Sequence, residues 1–244
     1  MKRLGLLWMV MMFAVLFAVA AEVWESKPYT QWSAKDVRQV TSESPWAHTF
    51  VLRSPNMTQI RREFGKLADR AGEGEGTMNP EVDYVISVRT ALPVREAVVR
   101  AAALQANYDR MEAAAREAFD ANWAKYLNAR PSDKVIFNVQ YSASATNVDR
   151  ELASYWQSQT LDSVKLDAYM TGPDGKRVEP IAFFVGKGAS REFQLAFPRP
   201  AEDFPKNSAV AVEFKHPDVT EQPSARVYTK FNLKDMTYKG KLTY

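Results

Sequence analysis

The residue types able to do chemistry are few in this chain and widely separated. There are two histidines, His48 and His216, and no cysteine in 244 residues. A zinc site would have to be completed by carboxylates. Neither histidine lies in a His-Glu-x-x-His pattern or has a carboxylate at the helical spacing such a site uses. A nucleophilic hydrolase fares no better: Gly-x-Ser-x-Gly does not occur, and Ser142 and Ser144 close a strand-like stretch with no base legible beside them. Two carboxylate pairs, Asp149 with Glu151 and Glu202 with Asp203, have the residue types for acid and base roles in glycoside cleavage. Both stand in polar, loop-like text and read as solvated surface. The catalytic residues are therefore left unknown, no cofactor or metal ligand is assigned, and the reading leans away from an enzyme.

Other local patterns add little chemistry. Gly72-Glu73-Gly74-Glu75-Gly76 is too acidic to cradle phosphate and lacks the Lys-Ser or Lys-Thr pair of a P-loop. It also offers too few oxygen ligands for calcium, and it reads as a flexible acidic segment. Asn56-Met57-Thr58 satisfies the three-residue glycosylation sequon. The net charge of +3 drops to about +1 without Lys2 and Arg3, and no basic cluster is visible, which excludes nucleic acid as a partner.

Those two cations precede an uncharged, largely apolar run from Leu4 to Ala21 that closes on Ala18-Val19-Ala20. A basic flank, an apolar segment and small residues at a cleavage point are what a secretory signal requires, so residues 1–20 are expected to be a signal peptide. The alternative is an uncleaved inner-membrane anchor, since the run approaches the roughly 17 residues of a short spanning helix. Without cysteine the exported chain carries neither a lipid anchor nor disulfides. About 220 residues remain after cleavage, enough to bury a sizeable core.

Two kinds of element must supply that core. Residues 21–131 form an N-terminal region. It opens with a short helix that Ser33 and Asp36 cap and that Val37 and Val40 stripe, with Trp24, Tyr29, Trp32 and Trp46 as anchors around it. Strands are expected at His48–Arg53 and Val82–Arg89. A long amphipathic helix is then expected from Pro93 to Asn128, with a kink near Asn107 and a length of roughly 50 Å if unbroken. On it, Glu96 with Arg100 and Glu112 with Arg116 are spaced as solvated ion pairs. The alanine runs 101–103 and 113–115 favour core packing over a coiled-coil dimer. Residues 132–244 change to alternation: Val135 to Tyr141, Val164 to Met170, Val178 to Val185, Phe193 to Phe197, Val210 to Phe214 and Val227 to Leu233. The turns are Gly172-Pro173-Asp174-Gly175 and Gly186-Lys187-Gly188. The expected class is α+β, the long helix accompanying a C-terminal antiparallel β-sandwich of Ig-like architecture.

The stretch Lys27-Pro28-Tyr29-Thr30-Gln31-Trp32-Ser33-Ala34-Lys35-Asp36-Val37, with Ser44-Pro45-Trp46-Ala47 after it, resembles the N-terminal signature of an uncharacterised family of secreted bacterial proteins. Phe231-Asn232-Leu233-Lys234-Asp235-Met236 is similar to that family's C-terminal end. The resemblance covers about a tenth of the chain and implies export and a bacterial origin. It brings no activity, substrate or catalytic residue.

These features predict a secreted or periplasmic binding or envelope-interaction module. Its partner would be an envelope or extracellular protein or polymer, with membrane contact only if the N-terminal segment is not cleaved. The alternatives are a metal-independent hydrolase of extracellular or cell-wall polymer and a membrane-anchored accessory protein of the envelope.

Overall fold

The computed structural model describes residues 22–53, 81–128, 133–200, 202–219 and 225–244. The expected export segment at residues 1–20, the sequon at Asn56 and the Gly72–Gly76 run lie outside the described residues. No helix among the described residues is long and apolar enough to cross a membrane.

Period-two alternation produces strands with one apolar face, and these assemble into antiparallel sheets. The strands are β1 (Ala47–Leu52), β2 (Val82–Val88), β3 (Lys134–Ala143), β4 (Tyr169–Thr171), β5 (Arg177–Val178), β6 (Ala182–Val185), β7 (Glu192–Pro198), β8 (Ala209–Lys215), β9 (Arg226–Asn232), β10 (Thr237–Tyr238) and β11 (Lys241–Leu242). A five-stranded sheet runs β1-β2-β3-β7-β6, a four-stranded sheet runs β5-β4-β8-β9, and β10 and β11 form a hairpin. The larger sheet therefore joins strands from both sides of residue 131, with Val82–Val88 laid antiparallel along β3.

The two sheets meet through aromatic side chains. Tyr84 of β2 and Phe193 of β7 each contact Phe214 of β8, at 5.4 and 5.5 Å between ring centroids, and Phe137 of β3 lies 5.6 Å from Phe231 of β9. Tyr84, Phe193 and Leu195 are fully buried. Each such side chain removed from water contributes on the order of 2 kcal/mol, and alternation places all of them on the inner faces.

The helices are α1 (Val23–Ser26), α2 (Ala34–Ser42), α3 (Leu92–Gln105), α4 (Ala113–Asn128), α5 (Thr146–Ser158) and α6 (Leu161–Lys165). At α2 the expected cap is present: Ser33 Oγ accepts from the Asp36 N–H while the Asp36 carboxylate accepts from the Ser33 N–H. Lys27 Nζ donates to the same carboxylate at 2.6 Å. That bond, with the Ser33 backbone, holds the carboxyl down to about 2. The aromatic anchors are buried as expected: Trp24, Trp32 and Trp46 are 5, 0 and 0 % exposed.

Several expectations are corrected. The long helix is two helices, because Asn107 takes a left-handed conformation (φ 52°, ψ 46°) that ends α3, and a 3-10 turn at Tyr108–Arg110 precedes α4. Asparagine tolerates that region where β-branched residues do not. Only α3 enters the core: it buries Val94, Ala97 and Val99, whereas α4 has no buried residue, so Ala113–Ala115 do not pack there.

The pairing of Glu96 with Arg100 is not formed either. Glu96 is 4 % exposed and accepts from Tyr238 Oη at 2.5 Å and Lys239 Nζ at 2.9 Å, while Arg100 Nε donates to the Trp32 carbonyl at 2.6 Å. These charges hold the N-terminal helices and the β10–β11 hairpin to α3. Glu96 is structural, not solvated.

The alternation from Val164 to Met170 conceals a helix end. Thr160 and Ser163 form a capping box for α6, Leu166 is 73 % exposed, and the strand begins only at Tyr169. The stretch Val178–Val185 is two strands in different sheets. β5 pairs with β4 and β6 with β7, and Glu179-Pro180 separates them. Proline has no N–H to donate to a ladder, so the chain changes sheets there. Finally, helix α5 occupies the text read as a loop around Asp149 and Glu151. Its Val148, Leu152 and Trp156, at a spacing of four, are all buried, and Trp156 stacks on Phe193 at 4.1 Å.

Candidate polar groove on the outer face of the larger sheet

In β2, β3 and β7 the residues between the core positions point away from the second sheet. Register brings a set of them together: Asp83 lies opposite Ser142, Val85 opposite Gln140, and Gln140 opposite Glu192. With Tyr141, Ser190 and Arg191 they line a groove of about 430 Å3. The hairpin between β6 and β7 places Ser190 at its end. Gly186 is required in that hairpin because a Cβ there would collide with Ser190 Oγ.

The groove is rich in acceptors. Asp83 Oδ1 is buried and has no hydrogen-bond partner among the described residues. Burial pushes the Asp83 carboxyl up from its ordinary value, the neighbouring Glu81 pushes the same way, and Arg53 opposes them. Asn138, one register position beyond Gln140 on the same face, is 3 % exposed. Its Nδ2 donates to Glu192 Oε2 at 3.4 Å, and its Oδ1 has no partner. An unpaired buried acceptor costs on the order of 1–3 kcal/mol, and here two lie on one sheet face.

The cations around this face are engaged. Arg191 Nε donates to Asp149 Oδ2 of α5 at 2.9 Å, and Arg53 Nε to Glu81 Oε2 at 2.7 Å. The groove thus presents two carboxylates, an amide and three hydroxyls, and its one lining cation, Arg191, is already engaged by Asp149. Its chemistry is that of a hydrogen-bonding surface with surplus acceptors, and a group with N–H or O–H donors would satisfy it.

The residues singled out from sequence fall in different places. Ser142 lies in the groove, whereas Ser144 Oγ accepts from the Glu81 N–H at 2.9 Å. Asp149 is held by Arg191, and Glu151 is exposed on the same helix. Asp203 accepts from Tyr244 Oη at 3.0 Å, and Glu202 is exposed. His216 is fully buried in contact with Tyr84, its Nδ1 2.8 Å from the phenol oxygen.

His48 packs against Phe231, ring centroids 4.9 Å apart, and borders a second recess of about 510 Å3 with Glu22, Trp24, Glu43 and Asp235. Among the described residues no three histidine, aspartate or glutamate side chains are grouped so as to hold a metal ion.

Asp83, Gln140 and Glu192 were not singled out from sequence. Their signal is present in it: each is a polar residue at an outward position of a strand whose inward positions are apolar. That pattern also describes ordinary solvated sheet surface, and only the register shows that the three converge. No protein-family model, curated protein or solved structure matches the chain, so its function is argued from this groove.

Proposed function

We propose that the protein is an exported bacterial binding module. In this reading an Ig-like two-sheet scaffold presents the groove at Asp83, Gln140 and Glu192 to a component of the cell envelope. The observation that carries it is the pair of buried, unpartnered acceptors, Asp83 Oδ1 and Asn138 Oδ1, beside a groove lined by hydrogen-bonding side chains. Native proteins rarely leave such groups unpaired; neither atom is open to solvent, so a ligand donor completes them as the side chains turn toward the groove. Export is supported by Lys2-Arg3 and the apolar run to Ala21, and the bacterial origin by the resemblance of the Lys27–Ala47 segment.

The groove is tested by co-sedimentation of the purified protein with bacterial envelope polymer. Val85→Arg and Gln140→Arg place a long cationic side chain in the groove without touching the core. Each is expected to weaken retention about tenfold, or about 1.4 kcal/mol, with circular dichroism unchanged. Retention equal to wild type in both variants would sink the groove as the binding site. Release of reducing ends from the polymer, abolished by Asp83→Asn, would move the reading to hydrolysis by Asp83 and Glu192 as acid and base.

The address is tested by the mass of the protein recovered from the envelope. A chain lacking residues 1–20 is expected. An intact chain in the membrane fraction would instead make it an anchored accessory protein.

A further inference from the structure

We infer that the ligand of the groove presents a primary ammonium group, taken at Asp83, with Glu192 two strands away adding negative charge to the same face. This inference rests on the binding reading above and adds the chemical class of the ligand. An alkylammonium has three N–H donors and no acceptor, the complement of a groove whose unsatisfied atoms are oxygens.

The charge count on this face favours a cation over a neutral donor. Arg191 is matched by Asp149, and Arg53 by Glu81. Among the described residues Asp83 forms no ion pair, and the side-chain donor to Glu192 is the neutral Asn138 amide at 3.4 Å. Desolvation makes an unpaired buried carboxylate costly, and a bound cation offsets that cost through a charge-assisted hydrogen bond.

The flanking side chains suit the stem of such a group. Val85, two residues from Asp83 on the same face of β2, supplies an apolar contact where the methylenes of a lysine side chain or the ring carbons of an amino sugar can lie. Gln140, Ser142 and Ser190 provide polar contacts along the groove. Burial and Glu81 both disfavour the charged form of Asp83 in the free protein. An arriving ammonium reverses that balance, so binding and deprotonation of Asp83 are linked.

Two sources offer this chemistry, a lysine side chain on a peptide and the free amine of a glucosamine polymer. Calorimetric titration of the full chain with a trilysine peptide, a glucosamine oligomer and the N-acetylated form of each separates them and tests the class. Binding is expected for at least one free amine and at least tenfold weaker for its acetylated counterpart. It should weaken with added salt, with acidification through the Asp83 titration, and in Asp83→Asn and Glu192→Gln. Both substitutions remove charge while keeping shape, and far-UV circular dichroism checks that each variant is folded.

Equal binding of the acetylated glucosamine oligomer would overturn the ammonium assignment in favour of a neutral glycan. If no amine binds while Val85→Arg still abolishes retention on envelope polymer, the ammonium assignment falls and the groove stands. If Val85→Arg leaves retention intact, the groove itself falls.

Discussion

Replacing Trp46 with alanine is expected to cost about 3–5 kcal/mol of stability, the range for removing a large aromatic from a packed core. Trp46 is 0 % exposed and stands edge-on to Trp24 at 5.5 Å and to Tyr238 at 6.1 Å. Its indole N–H donates to the Thr243 carbonyl at 2.9 Å, across 197 residues of chain. One side chain therefore holds α1, the start of β1 and the β10–β11 hairpin in a single cluster.

Typical domains have only about 5–15 kcal/mol in total, so the loss should be plain in denaturant unfolding. Trp46→Phe keeps a ring in the cluster and strands the Thr243 carbonyl, and its cost should be smaller, about 1–2 kcal/mol. Hydrogen exchange would then show faster exchange at residues 237–244. A Trp46→Ala variant within about 0.5 kcal/mol of wild type would mean that these aromatic residues do not anchor the termini to the sheets.

The second large effect is a loss of stability in acid that traces to His216. Its imidazole is 0 % exposed, and burial holds its pKa at about 4 against an ordinary 6.5, with nearby Asp218 only partly opposing. Burial also pushes the Tyr84 phenol far up. The phenol therefore stays protonated, and its hydrogen bond with Nδ1 of the neutral imidazole runs in the direction the tautomer sets.

Between those two pH values the unfolded chain binds a proton that the folded protein refuses. The contribution is complete above about pH 6.5 and is lost as the pH falls toward about 4, by about 3 kcal/mol in all. Asp83 and Glu22, whose carboxyls burial pushes up, act in the opposite sense, and His48, pushed down by burial, in the same one. The test is thus the difference between wild type and His216→Gln in unfolding free energy across this window. The variant's pH slope should be shallower by about the amount stated, whatever its absolute stability. Parallel slopes would exclude His216 as the source.

The features legible in the sequence are those that repeat along the chain. The strands at residues 47–52, 82–88, 192–198 and 226–232 carry one more deeply buried face each, and a buried face writes itself as alternation; the strand at 209–215 is buried on both faces but still alternates large and small or polar side chains. The cap at Ser33 and Asp36 was legible for a similar reason, since both partners lie within one turn. Helix α5 has the same kind of signal, Val148, Leu152 and Trp156 recurring every four residues, but the polar residues around them read as a loop. The candidate groove was not legible. Asp83, Gln140 and Glu192 are far apart in sequence, and a polar residue on an outer sheet face looks the same whether it meets solvent or a neighbour.

By itself, then, the sequence determined the apolar export-like start, the aromatic anchors, the absence of thiol chemistry and most of the strands, because each depends on residue type or on spacing over a few positions. The tertiary structure alone decided which strands share a sheet, the change of sheet at Pro180, the burial of Glu96 and the meeting of unpaired acceptors beside one groove. Those depend on contacts between residues tens to more than a hundred positions apart, where register and packing choose the neighbours and local pattern carries no record of the choice.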